Sequence, residues 1–180
     1  MRIEWDDYFM SIAKLTALRS GCNSRPTGAV IVKNKRIIST GYNGTLSGKE
    51  QCTDKGERYC RRRSMGQDDS GENKYQECPS IHAEQNAINQ AALLGGISLK
   101  DCILYCTLSP CSHCIKNIAS VGIKEIVYET MYRSDDSERD HLWIETMKKT
   151  FIARQVQLTN TLSVAQIISN FNVVTSYRRL

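Results

Sequence analysis

Two short segments of this chain carry the residue types of a metal-centred active site. His82 is followed two positions later by Glu84, and a Pro-Cys-x-x-Cys run further along contributes Cys111 and Cys114. One imidazole and two thiolates give a tetrahedral Zn²⁺ three ligands and leave its fourth position open to water. Zinc makes water nucleophilic near neutral pH, and a non-ligand carboxylate can accept and return protons. The pattern therefore predicts a catalytic zinc with Glu84 as proton carrier, in preference to a structural or redox C-x-x-C.

Both segments are predicted to begin helices, and this placement makes the ligands converge. Cys111 and Cys114 are three residues apart on a first turn, so that their thiolates face one way. The free backbone N–H groups of that turn stabilise thiolate charge. His82 and Glu84 would not share a face within a regular helix, but at a helix start both side chains can reach one site.

The order of elements around these segments favours an α/β domain. An amphipathic helix is predicted at about 6–20, followed by a hairpin of apolar strands at 28–33 and 36–42. The later elements are predicted as helix 81–94, strand 102–107, helix 111–121, strand 125–128, helix 137–149, edge strand 152–158 and helix 164–171. Alternating strands and helices after a hairpin indicate a mixed sheet covered by helices on both faces. We expect one domain over residues 1–180, with an insert at about 45–80 and a variable C-terminal segment at about 150–180.

Composition restricts the class of protein. The chain has 180 residues, a formal net charge of +5 and eight cysteines. It has no run of 18 apolar residues and no basic-then-apolar N-terminus, so we expect a cytoplasmic protein without a membrane partner, in the host cytoplasm if it is virus-encoded. Cysteines in a reducing compartment favour metal ligation over disulfides. The net charge is compatible with an anionic ligand but is ordinary for a soluble protein.

Several runs of the sequence resemble deoxycytidylate (dCMP) deaminases, particularly phage-encoded and bacterial members. The matching runs are GAVIV at 28–32, RIISTGYNG at 36–44, HAEQNAI at 82–88, YCTLSPC at 105–111 with Cys114, and GIK at 122–124. H-x-E with P-C-x-x-C is the signature of zinc deaminases, and the GYNG and HAEQNAI runs narrow the resemblance to dCMP deaminases. It covers about residues 6–130 and is looser in the insert and the C-terminus. The resemblance implies a cytidine deaminase-like fold, a three-layer α/β/α sandwich around a mixed five-stranded sheet.

The function implied by this resemblance is hydrolytic deamination of dCMP to dUMP with release of ammonia, which feeds thymidylate synthesis. His82, Cys111 and Cys114 would bind the catalytic zinc, and Glu84 would protonate the ring nitrogen and the departing ammonia. Family members form dimers or hexamers that dCTP activates and dTTP inhibits, and Mg²⁺ can accompany such nucleotide effectors. Many relatives carry an arginine near Leu93, so its absence here leaves assembly and regulation open.

Further site residues are predicted at the loops around this zinc. The resemblance places Asn43 at the sugar, the backbone of 108–110 at the exocyclic amine, and the loop after strand 125–128 over base and phosphate. It also ties the GYNG run to an allosteric nucleotide site, although Asn-Gly is a turn former in any protein. The predicted substrate contacts are Asn43, Arg25, Ser109, Pro110, Tyr132 and Arg133, and the predicted allosteric residues are Gly41, Tyr42, Asn43 and Gly44.

Four further cysteines flank or interrupt the insert: Cys22, Cys52, Cys60 and Cys78. A loop of this length is uncommon in a compact domain unless something holds it. A closed Cys₄ zinc site would do so, and some phage relatives hold a second, structural zinc at the same insert, with non-cysteine ligands among the set. The insert contains no histidine. We therefore predict a structural zinc at these four cysteines; the alternative is four unrelated thiols.

Other interpretations remain open at this point. The basic run RYCRRR at 58–63 could bind phosphates or be a solvated loop. The chain could act on dCTP or on bases in nucleic acid, or it could be a non-catalytic zinc module that binds nucleotides. The GYNG and HAEQNAI runs argue against nucleic acid as a partner. Glu84 argues against a binding module, because such a module does not need a carboxylate at zinc-bound water.

Overall fold

The computed structural model describes residues 3–66, 78–132 and 137–156. The helices are α1 (Trp5–Ala17), α2 (Arg61–Ser64), α3 (Ala83–Leu93), α4 (Ser112–Ser120) and α5 (Ser137–Thr150), with a 3-10 turn at Thr53–Lys55. The strands are β1 (Gly28–Lys33), β2 (Arg36–Tyr42), β3 (Ile103–Leu108), β4 (Glu125–Thr130) and β5 (Ile152–Gln155). Among the described residues, no helix is both long enough and apolar enough to span a membrane.

The five strands form one mixed sheet in the order β2-β1-β3-β4-β5. β1 is antiparallel to both β2 and β3, whereas β3, β4 and β5 are parallel to one another. The β1–β2 hairpin turns at Asn34 and Lys35, which both have positive φ, as a two-residue hairpin turn requires. The predicted mixed sheet is confirmed.

Helices cover both faces of this sheet. Side chains alternate along β1, so that Val30 and Val32 point to one face and Ala29 and Ile31 to the other. On the first face α1 packs through Phe9, Met10 and Ala13 against Val30, Val32, Tyr105 and Val127. On the second face α3, α4 and α5 pack over Ala29, Ile31, Leu104, Cys106 and Ile126. The three-layer α/β/α sandwich inferred from the sequence is therefore confirmed.

Two glycines let helices approach this sheet closely. A Cβ at Gly28 would lie 2.0 Å from the carbonyl oxygen of Ala13 in α1. A Cβ at Gly41 would lie 2.1 Å from the carbonyl oxygen of Ala83, the first residue of α3. Because α3 follows directly after His82, the second contact fixes the height of a predicted ligand above the sheet.

The insert is more ordered than its sequence suggests. The sequence predicts a long loop at about 45–80, but the described part contains the 3-10 turn and α2, and Gly44 forms an isolated bridge with Ile81. β5 ends at Gln155 rather than at 158. The predicted helix at 164–171 lies outside the described residues.

Candidate metal centre and the cleft around it

Both predicted ligand segments lie at helix starts. His82 is the residue before α3, with φ −71° and ψ 154°, and Cys111 is the residue before α4, with φ −76° and ψ 172°. Ahead of His82, Gly44 and Ile81 exchange two backbone hydrogen bonds of 3.2 and 2.8 Å. Cys111 follows the end of β3 after Ser109 and Pro110. Both ligand segments are thus positioned by the ends of sheet strands, because Gly44 follows β2 and Cys111 follows β3.

The three predicted ligands are brought together. Nδ1 of His82 lies 3.4 Å from Sγ of Cys111 and 3.4 Å from Sγ of Cys114, and all three ligand atoms lie within 4.8 Å of one another. A tetrahedral zinc with Zn–S of about 2.3 Å and Zn–N of about 2.0–2.1 Å separates sulfur and nitrogen by about 3.5 Å. The arrangement fits zinc, and it identifies Nδ1 as the nitrogen that would bind the metal. We refer to His82, Cys111 and Cys114 together as the metal group.

The pKa values of the Cys111 and Cys114 thiols are shifted in opposite directions. Hydrogen bonds from Cys114 and His82 lower the pKa of Cys111 to about 3. The Cys111 thiolate and burial raise the pKa of Cys114 far above its usual range. Two thiolates this close repel each other, and a divalent cation between them removes that cost. The pair is therefore suited to holding a metal ion.

Glu84 is the buried carboxyl of the site. Its side chain is 4% exposed in the first turn of α3, next to the Cys114 thiol. Burial raises the pKa of Glu84, with a smaller opposing effect from the charge of His82. A carboxyl with a raised pKa, placed beside a metal group but not required as its ligand, is suited to accepting and donating protons.

The metal group opens into a cleft with about 850 Å³ of space, part of it open to solvent. His82, Glu84 and Cys111 line it. The predicted substrate contacts Arg25, Asn43, Ser109 and Tyr132 line the same cleft. Pro110, Gly41, Tyr42 and Gly44 are outside its lining, and Arg133 lies outside the described residues.

Asn43 shapes the cleft wall through its side-chain amide. Oδ1 accepts hydrogen bonds from the Ser20 hydroxyl at 2.7 Å and from the Thr27 backbone N–H at 2.8 Å. Nδ2 donates to the carbonyl of Arg25 at 2.9 Å. Asn43 therefore fixes the loop that carries Arg25, while its predicted contact with the sugar stays a prediction.

The remaining residues of the GYNG run anchor α3 to the sheet. Gly41 lies against Ala83, the Tyr42 carbonyl accepts a 2.8 Å hydrogen bond from the Asn86 side chain, and Gly44 pairs with Ile81. This anchoring role is not predicted from the sequence, although a glycine within a predicted strand is a signal of close backbone approach. The predicted allosteric role is separate from it and stays a prediction.

Ser109 and Tyr132 join two loops at the cleft. The backbone N–H of Tyr132 donates to the Ser109 hydroxyl at 2.8 Å. The Arg25 guanidinium lies 5.1 Å from the centre of the Tyr132 ring, within the range of a cation–π interaction. The loop after β4 is thus tied to the loop after β3 and to the segment before β1.

The four insert cysteines lie around one region. Cys22, Cys60 and Cys78 line the cleft. Burial raises the pKa of Cys78, and the nearby Cys22, Cys60 and Cys52 raise it further. Across the described residues, however, the spacing of a metal site is met by His82, Cys111 and Cys114 alone. The second zinc therefore stays a prediction.

Asn23 holds the insert in place, which the sequence did not indicate. Its side-chain amide donates to the carbonyls of Cys52 at 3.1 Å, Gly56 at 2.8 Å and Tyr59 at 3.0 Å. These contacts fold the insert back onto the segment that follows α1.

This sheet, with H-x-E and P-C-x-x-C at two helix starts, defines the zinc-deaminase class. The family model for the cytidine and deoxycytidylate deaminase zinc-binding region matches residues 3–130. The chain belongs to the cytidine and deoxycytidylate deaminase family.

Individual relatives agree with this assignment. The deoxycytidylate deaminase of Mycobacterium phage D29 is 37% identical over 134 residues, which are 71% of this chain and 95% of the phage protein. The deoxycytidylate deaminase of Schizosaccharomyces pombe is 40% identical over 136 residues, 74% of this chain. The match spans 39% of that yeast protein's length.

A solved structure is similar over most of the chain. The crystal structure of dCMP deaminase from the cyanophage S-TIM5, in complex with dCMP and dUMP, superposes with a TM-score of 0.61 at 28% identity. The superposition covers 87% of this chain and 99% of the cyanophage chain.

Proposed function

We propose that this chain converts dCMP to dUMP and ammonia, with a zinc ion held by His82, Cys111 and Cys114. The observation that carries the proposal is the position of Glu84. It is a buried carboxyl beside a three-ligand metal group, and both line one cleft. A structural zinc site has no use for such a carboxyl, whereas a hydrolytic site needs one.

The chain's own residues carry the proton transfers. Zinc, when bound, activates water as a nucleophile near neutral pH. As the oxygen of this water bonds to the ring carbon, Glu84 accepts the proton that the water loses and delivers it to the ring nitrogen. The bond between that carbon and its exocyclic nitrogen then breaks. Glu84 carries the remaining proton of the added hydroxyl group to the nitrogen, which leaves as ammonia. The raised pKa of Glu84 supports this role, because the carboxyl must hold a proton during the reaction.

The substrate class is supported by the relatives and by the cleft. The phage D29 relative is named a deoxycytidylate deaminase, and the S-TIM5 structure contains dCMP and dUMP. Leu108 and Ser109 lie at the cleft beside the metal group, where their backbone groups can meet the exocyclic amine. Arg25 supplies positive charge to the same cleft.

Rates of ammonia release from dCMP, dCTP, deoxycytidine and a cytosine-containing oligonucleotide test the substrate. We expect kcat/KM for dCMP to exceed that for deoxycytidine by about 10- to 100-fold, because each charge-assisted hydrogen bond to phosphate contributes about 1.5–3 kcal/mol. Equal values for these two compounds would contradict the proposal. A preference for dCTP or for the oligonucleotide would favour the corresponding alternative.

Regulation and assembly are a further part of the proposal. We propose activation by dCTP and inhibition by dTTP, with Mg²⁺ accompanying these effectors, and self-association into a dimer or hexamer. The resemblance of the GYNG run to the family's allosteric site supports this. In this chain the run contacts the first turn of α3, so that a nucleotide bound there would act on the segment that carries His82 and Glu84.

We also propose a structural zinc at Cys22, Cys52, Cys60 and Cys78. Metal analysis of purified protein should then give two zincs per chain. Cys52→Ser should contain one zinc and be less stable to heat, because structural zinc contributes of the order of 10 kcal/mol to folding of small domains. Cys102→Ser, which alters a buried cysteine outside the cleft, should keep both. One zinc in the unaltered protein would refute the second site.

A further inference from the structure

The short helix of the insert presents its arginines to the cleft. α2 spans only Arg61–Ser64, yet Arg62 is 5% exposed and lines the cleft together with Arg63. Arg61, on the same helix, is exposed and does not line it. The basic run is therefore not simply a solvated loop, since two of its arginines lie at the cleft that contains the metal group.

These arginines join a region that is already positive. Nη2 of Arg63 lies 3.3 Å from the hydroxyl of Ser24 and donates to it. Ser24 and Arg25 line the cleft as well. The lining thus includes three guanidinium groups and one carboxyl group, that of Glu84. Such a surface is complementary to an anion.

We infer that Arg62 and Arg63 bind the 5′-phosphate of the nucleotide, so that the insert sets the preference for a phosphorylated substrate. This inference rests on the proposed deaminase function, which it refines. A guanidinium offers five donors in a planar fork that matches phosphate oxygens, and its attraction to an anion is stronger where water is excluded. Arg62 meets both conditions, because it is almost fully buried and lies at the cleft.

The fold of the insert keeps these arginines in place. α2 begins directly after Cys60, whose carbonyl accepts a 2.9 Å hydrogen bond from the Ser64 backbone N–H. Asn23 holds the preceding turn through the carbonyls of Cys52, Gly56 and Tyr59. A segment with little apolar content is thereby fixed against the cleft, which a binding site for phosphate requires.

Binding of the product separates this inference from catalysis. Dissociation constants for dUMP and deoxyuridine would be measured by calorimetry on the zinc-containing full chain and on R62Q, R63Q, R62K and R61Q. We expect R62Q and R63Q each to weaken dUMP binding about 10- to 100-fold, with deoxyuridine binding changed much less. R62K, which keeps the charge but loses the planar fork, should lie between R62Q and the unaltered protein. R61Q, the matched control on the same helix, should bind both compounds as the unaltered protein does.

The outcomes distinguish the inference from the proposed function. Unchanged dUMP binding in R62Q and R63Q, or equal losses for dUMP and deoxyuridine, would overturn the inference while dCMP turnover by the unaltered protein still supported the function. Selective loss of dUMP binding in a chain that does not deaminate dCMP would support the phosphate site and refute the function. If R62Q does not fold, R63Q decides, because Arg63 is exposed on α2.

Discussion

Glu84→Gln is expected to lower kcat for dCMP by about 10²- to 10⁴-fold without loss of zinc. Glutamine has nearly the shape of glutamate, so that packing at this 4% exposed position is kept. Its amide cannot take a proton from water and return it to the substrate. Because the three metal ligands are His82, Cys111 and Cys114, the metal content should stay at the level of the unaltered protein. Ammonia release gives kcat, and elemental analysis gives zinc.

A matched change elsewhere separates the loss of a proton carrier from the loss of a charge. Glu145→Gln alters an exposed residue of α5 that pairs with Lys148 at 3.6 Å, and it should leave kcat unchanged. Turnover by Glu84→Gln within a factor of about ten of the unaltered protein would contradict the mechanism, since general acid–base catalysis contributes more than that. Loss of zinc together with activity would instead make Glu84 a ligand.

The order of helices and strands could be predicted from the sequence because it depends on local patterns. Apolar, β-branched residues predict β1 and β2, and the side chains of Val30 and Ile31 indeed lie on opposite faces of the sheet. Gly122 follows α4 with φ 78°, so that the helix ends where its sequence indicated. The order of the strands in the sheet could not be predicted from local patterns, because it depends on which strands pair in space.

The metal group was predictable for a similar reason. The positions of the Cys111 and Cys114 thiols follow from their spacing on one helical turn. The positions of the His82 and Glu84 side chains follow from their place at a helix start. Arg62, Asn23 and Gly41 could not be placed in the same way. Their roles depend on the folding of the insert onto the segment after α1 and on the packing of β2 against α3. Such contacts join residues that no short motif connects.

Asn43 shows how a motif can be recognised while its local role is missed. Asn-Gly after a strand indicates a turn, and the resemblance added a contact with the sugar. In the structure the Asn43 amide binds Ser20, Thr27 and the carbonyl of Arg25. The three partners lie 16 to 23 positions earlier in the chain, beyond the reach of a turn argument. Its hydrogen bonds were therefore visible only after folding.

Removal of a thiolate should have a different effect from removal of the proton carrier. Cys111→Ala leaves His82 and Cys114, and two protein ligands do not hold zinc as three do. Changes to residues that merely support a ligand cost about 10- to 100-fold in metal affinity, so loss of the ligand itself should cost more. We therefore expect zinc at this site to be lost on dialysis against a chelator that does not strip the unaltered protein, and turnover to be lost with it.

The role of Cys111 as a ligand, rather than as a packing residue, can be tested with a second cysteine. Cys106 is fully buried on β3, and its thiol approaches the carbonyl of Val127 at 3.7 Å, but it is not part of the metal group. Cys106→Ala removes the same atom from a deeper position, so it should lower thermal stability and still retain zinc at the catalytic group. If Cys111→Ala kept its zinc through dialysis, the ligand set would be wrong. Both variants replace a cysteine with alanine, but only the Cys111 sulfur faces His82. If Cys106→Ala lost zinc to the same extent as Cys111→Ala, metal loss would therefore reflect general destabilisation rather than the loss of a ligand.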